Sequence, residues 1–162
     1  MTTLRRRVLI QCPLAQAPRF LESFFQVHGD PRGESAQFDV GIEATIPGIP
    51  GPVSLNHGVV ATLKYDPHPT DMHPRFGVDW APTGDGPLPK FSGTLSVEPD
   101  EDYEAFFAVL DGHYEPPLGI AGRAFDALLG HRIAEATADQ LLHRIRDYVE
   151  KAYAAEEAGK PG

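Results

Sequence analysis

An imidazole on an apolar strand face is the first residue in this chain that invites chemistry. Between Ser54 and Tyr65 the apolar positions alternate (Leu55, Val59, Ala61, Leu63, Tyr65), and His57 falls among them. A ring nitrogen buried there must find a partner, because desolvating an unpaired polar group is costly. A core histidine bonded to a backbone carbonyl or a tyrosine satisfies that need without any ligand and is the expected reading. Trp80 and Tyr114 come next: each joins a large apolar body to one hydrogen-bond donor that can orient a bound molecule. Phe76, Phe91 and Phe125 could share such a lining, but they are less specific, and core packing is the expected reading for each.

Other reactive residue types carry weaker patterns. Asp66, His68, Asp71 and His73 are types that bind zinc, but their spacing matches no closed site and prolines flank both histidines, so a solvated loop is the expected reading. Cys12 has no neighbouring lysine or histidine to make it a thiolate, and its apolar face predicts a buried, unreactive thiol. Arg123, near the start of a helix, pairs best with a carboxylate such as Glu115. The chain has no Gly-x-Ser-x-Gly, no His-Glu-x-x-His, no phosphate-binding glycine loop and no dinucleotide fingerprint. No metal and no cofactor is expected.

Strands and one long helix must position these residues. Arg7 to Cys12 reads as a first strand, and Leu14 to Val27 as a helix with Phe20, Leu21, Phe24 and Phe25 on one stripe. Alternation predicts further strands over Phe38 to Ile46, Ser54 to Tyr65, Phe76 to Trp80 and Phe91 to Val97, then a last one over Tyr103 to Tyr114. Phe106, Leu110 and Tyr114 are placed toward the interior. Pro116 and Pro117 stop that strand, and from Ala121 no proline recurs until Pro161, so a helix of roughly thirty residues follows. Its apolar positions fall into two groups, Phe125, Leu129, Ile133 and Ala136, then Leu141, Leu142, Ile145, Tyr148 and Val149. This predicts a bend near Gly130 or a change of packing partner, with the first half roofing a cavity.

A chain of 162 residues suits one domain, here set at residues 1–155 with a disordered tail over 156–162. A net charge of -9 argues against a surface devoted to nucleic acid or anionic membrane. One cysteine excludes an intrachain disulfide. Arg5 to Arg7 precede too short an apolar run for a signal peptide, and no run approaches the roughly 18 apolar residues of a membrane span. A cytoplasmic protein without stable membrane insertion is expected, with a homodimer left open.

The residues Trp80-Ala81-Pro82, Phe91-Ser92-Gly93-Thr94-Leu95 and Gly112-His113-Tyr114-Glu115-Pro116-Pro117-Leu118-Gly119, then Gly122-Arg123 leading into a terminal helix, resemble the helix-grip superfamily. That group takes in START-related lipid-transfer domains, plant pathogenesis-related proteins and polyketide cyclase or dehydrase-like proteins. The resemblance implies an α+β fold in which a curved antiparallel sheet of six to seven strands wraps a long C-terminal helix and encloses a hydrophobic pocket. It fixes no reaction. The expectation is a protein that binds or carries a small hydrophobic molecule (a lipid, polyketide or aromatic compound). The expected lining is His57, Phe76, Trp80, Phe91, Leu110, Tyr114, Phe125 and Leu129. The alternative is a cyclase or dehydratase in which His57 and Tyr114 pass protons on an enolisable substrate.

Overall fold

In a computed structural model that describes residues 2–28, 35–45, 50–66, 75–82, 90–115 and 127–160, six strands form one antiparallel sheet. The strands are β1 (Thr2–Ile10), β2 (Ser35–Thr45), β3 (Pro52–Asp66), β4 (Arg75–Pro82), β5 (Lys90–Pro99) and β6 (Phe106–Glu115). Their order across the sheet is β1-β6-β5-β4-β3-β2, so the first strand closes onto the last and leaves β1 and β2 as edges. A 3-10 turn (Leu14–Gln16) and helix α1 (Ala17–His28) follow β1, and the long helix α2 (Ala127–Ala158) ends the fold. This is the α+β helix-grip arrangement.

Alternation sets the inner face of the sheet. Phe76, Val78 and Trp80 of β4, Phe91, Leu95 and Val97 of β5, and Phe106, Ala108, Leu110 and Tyr114 of β6 are all buried. Residues between them, such as Arg75, Asp79, Ser92, Thr94 and Asp111, are exposed. The outer side of β6 carries apolar residues as well. Val109 is buried there, and Arg7 lies 4.5 Å over the ring of Phe107.

Three boundaries differ from the sequence reading. β1 starts at Thr2 and stops at Ile10, not Cys12, because Cys12 turns back to bond its own strand end, donating its N–H to the Ile10 carbonyl at 2.9 Å. β6 starts at Phe106, three residues late. The chain before it is a turn in which Tyr103 takes a φ of 58° and donates its N–H to the Asp100 carbonyl at 3.1 Å, a left-handed conformation no strand accommodates. The chain is also helical to Ala158 rather than disordered from residue 156, since Glu156 forms a forked pair with Arg19 of α1 at 2.9 and 3.0 Å.

Among the described side chains the long helix carries one apolar stripe; of the other expected group, Phe125 and the side chains of Leu129 and Ile133 lie outside the described residues. Ala134, Ala138, Leu141, Leu142, Ile145 and Val149 are fully buried, with Tyr148, Ala152 and Tyr153 packed beside them, the spacing of one helical face. Ala134 and Ala138 continue the line where the sequence shows no large residue. The C-terminal half seals against β1 and α1. Tyr153 meets Phe20 edge-on at 6.3 Å, Tyr148 meets Phe24 at 5.6 Å, and Ser23 bonds the Tyr148 hydroxyl at 2.6 Å.

Cys12 sits in this seal, fully buried, and burial pushes its thiol up to about 11. The thiolate is therefore scarce at neutral pH. Native protein at pH 8 should react with a disulfide reagent at least a hundredfold more slowly than protein in urea. Equal rates would mean that the α1 end of the core opens freely.

Candidate functional site

Strand register assembles a transverse row of aromatic residues on the inner face. Trp80 of β4 pairs with Phe91 of β5, and Phe91 pairs with Tyr114 of β6. Trp80 and Phe91 stack with ring centroids 4.0 Å apart and planes inclined by 15°. The row lies toward the end of the sheet where β6 leads on to α2. Directly beneath it Gly93 faces Gly112. A Cβ on Gly93 would stand 2.6 Å from Phe91 Cζ, and one on Gly112 2.7 Å from the same atom. The missing side chains thus make the notch in which the Phe91 ring lies.

Helix α2 brings a polar line to the same place. His131, Glu135 and Asp139 recur every four residues beside the apolar stripe, so they share one side of the helix. His131 Nδ1 is 3.0 Å from the Tyr114 hydroxyl, and its Nε2 is 2.8 Å from Glu135 Oε1. One step on, Asp139 takes a forked pair from Arg6 of β1 at 2.7 and 2.8 Å. That pair, with Glu135 adding to it, holds the Arg6 guanidinium above its ordinary value against the lowering effect of burial.

The spacing is a match of two rises. Tyr114 meets His131, while Arg6, paired with Leu110, meets Asp139. Four strand residues cover about 13 Å and eight helical residues about 12 Å, so both contacts form at once with α2 antiparallel to β6. Tyr114 is 3% exposed, whereas the His131 and Glu135 side chains are about a third exposed. The chain of hydrogen bonds therefore leads from the buried row toward solvent.

One atom in the row stands out. Trp80 is 3% exposed, and its indole nitrogen has no hydrogen-bond partner among the described residues. Buried donors are nearly always paired, so an orphan calls for an acceptor from elsewhere.

The residues proposed from sequence divide as follows. Trp80, Phe91 and Tyr114 come together in the row. Phe76 and Leu110 are fully buried two rows deeper, where Leu95 pairs with both; they form floor and core. The backbone of His57, on β3, is opposite Val40 of β2 and four residues from Ala61, the partner of Trp80, which is about 13 Å along the strand. The His57 and Leu129 side chains and the whole of Phe125 lie outside the described residues. So do Arg123 and the loop histidines His68 and His73 with Asp71. Sequence reasoning missed His131, although its four-residue spacing to Glu135 and Asp139 is a visible signal.

The outer face offers a different kind of surface. A depression of about 410 Å³ is lined by Arg75, Thr94, Ser96, Val97, Glu98 and Asp111. Arg5 reaches across it, pairing with Glu98 at 3.2 Å and Asp111 at 3.3 Å. These carboxylates are exposed and already paired, and the lining is mostly polar, unlike the inner row.

Comparison with known proteins agrees on the architecture. TTHA0849 from Thermus thermophilus superposes with a TM-score of 0.51 at 15% identity, over 93% of this chain and 99% of that one. A START superfamily protein from Mycobacterium smegmatis gives a TM-score of 0.47 at 11% identity, over 94% of this chain and 97% of its own. Ara h 8.0201 gives 0.48 at 13% identity, over 91% and 97%. No family model and no curated protein matches the sequence. The strand order, the single long terminal helix and the first of these superpositions define a helix-grip protein. At these identities the likeness is one of fold alone. No helix among the described residues is long and apolar enough to cross a membrane.

Proposed function

We propose that this protein binds a small hydrophobic molecule against the inner face of its sheet, over the row formed by Trp80, Phe91 and Tyr114. The observation that carries this reading is the unpartnered indole N–H of Trp80, buried within an aromatic stack. A ligand oxygen accepting that bond would remove an unsatisfied donor, a gain of about 1–3 kcal/mol. Sites of this kind, apolar with a few placed polar groups, hold small molecules by burial and orient them by those groups.

Trp80 is the chain's one tryptophan, so its emission reports on the row directly. Titration with flat aromatic compounds that bear a carbonyl oxygen should quench or shift that emission saturably, and Trp80→Phe should weaken binding about tenfold. If a panel of lipids and aromatics leaves the emission unchanged, and native mass spectrometry of protein from its host finds no retained molecule, the proposal fails.

The contact of Tyr114 with His131, itself held by Glu135, favours a second reading, an acid–base enzyme of the cyclase or dehydratase kind. A phenol bonded to a carboxylate-oriented imidazole has a route for its proton. The reading requires a bound enolisable ketone to exchange its α-hydrogens with D₂O faster on the protein than on the Tyr114→Phe variant. Equal exchange leaves binding alone.

A further inference from the structure

The hydrogen bonds around His131 decide what the row can offer a ligand. Glu135 Oε1 stands 2.8 Å from Nε2. An ionised carboxylate only accepts, so in the neutral ring the proton resides on Nε2 and Nδ1 presents its lone pair. The Tyr114 hydroxyl, 3.0 Å from that nitrogen, therefore donates its hydrogen to His131. Its oxygen is left with lone pairs and no hydrogen for anything else. Two strands away the situation is reversed. The Trp80 indole nitrogen can only donate, and no acceptor meets it among the described residues. One end of the row accepts and the other donates, with the Phe91 ring between them.

We infer that the site selects a flat, apolar ligand with opposite hydrogen-bonding groups at its two ends: a donor, such as an aromatic hydroxyl, at Tyr114, and an acceptor, such as a ketone oxygen, at Trp80. This rests on the binding reading given above and adds the polarity and length of the ligand. β5 separates β4 from β6, so the Trp80 and Tyr114 Cα atoms are about 10 Å apart. That is on the scale of a fused bicyclic body substituted at both ends. Glu135 acts as a positioning residue, because it fixes the imidazole tautomer without reaching the row itself.

The test is calorimetric titration at pH 7.5 with three matched compounds. 6-Hydroxy-2-acetylnaphthalene carries both groups, its methyl ether lacks the donor, and 6-ethyl-2-naphthol lacks the acceptor. The first should bind at least tenfold more tightly than either of the others. Tyr114→Phe should remove the preference for the hydroxyl over the methyl ether while still binding the ether. Glu135→Gln, which keeps Tyr114 in place, should narrow that same preference, since an amide can hold either tautomer. Circular dichroism of each variant checks that it is folded. If the hydroxyl compound and its methyl ether bind within twofold of each other, the donor–acceptor assignment is wrong although the pocket exists. If none of the three binds, the binding reading itself fails and takes this inference with it.

Discussion

Gly112→Ala is expected to cost about 3 kcal/mol of stability, the upper range for forcing atoms into a packed interior. The reason is local and geometric. A Cβ at Gly112 overlaps the Ser92 carbonyl and the Gly93 Cα of the neighbouring strand, as well as the Phe91 ring at 2.7 Å. A flexible side chain could swing aside, but two of those atoms are backbone in a hydrogen-bonded ladder. Relief therefore requires β5 and β6 to part where the sheet carries the aromatic row. The urea midpoint should fall, and Trp80 emission should move to longer wavelength as the stack with Phe91 loosens. Adding Phe91→Ala should recover little, because the backbone overlaps remain. A Gly112→Ala protein with an unchanged midpoint would show that the strands do not approach as closely as this geometry requires.

Leu142→Ala is expected to cost a similar amount, about 2–5 kcal/mol, through lost burial and the cavity left behind. Leu142 is fully buried on the α2 stripe, in the half of the helix that seals against β1 and α1. Ligand affinity at 25 °C should change little, because Leu142 is about three turns beyond His131 and away from the row. Leu9→Ala is the natural control: Leu9 is 36% exposed, and surface truncations of that kind stay within about 0.5 kcal/mol. If Leu142→Ala costs less than about 1 kcal/mol, the C-terminal half of α2 is not packed as described. If it abolishes binding while the fold persists, the two halves of the helix are coupled more tightly than their separate contacts imply.

Much of the architecture is legible in the residues. Alternation over Phe76 to Trp80 and Phe91 to Val97 assigns the inner face correctly, since a period of two fixes which side chains share a face once a strand exists. The proline-free run after residue 120 gives one long helix for the same kind of local reason. Where local signals are weak the reading slips. Tyr103 is a good strand residue by type, yet a turn closed by Asp100 holds it at a positive φ. Ala134 and Ala138 are too small to register as part of a stripe in the sequence, yet both are fully buried and extend the face of Leu141, Ile145 and Val149 toward the start of the helix.

The candidate site was half visible. Trp80, Phe91 and Tyr114 could be named because large aromatics on an inward face are readable in one dimension. Their alignment could not, because it depends on the offset of each strand against the next, and nothing within a single strand specifies that. The same holds for His131. Its spacing to Glu135 is written in the chain, but its contact with Tyr114 exists only because the rise of α2 matches the length of β6 over that interval.

By itself, then, the amino-acid order determined the element types, the inward residues and the absence of the known catalytic motifs, since each depends on neighbours a few positions apart. Only the tertiary structure decided that a tyrosine and a histidine 17 residues apart come within hydrogen-bond distance, that two glycines make room for a phenylalanine ring, and that one indole nitrogen is left without an acceptor among the described residues. Those are properties of strand offset and helix placement, fixed by packing many residues together, and no local stretch of sequence contains them.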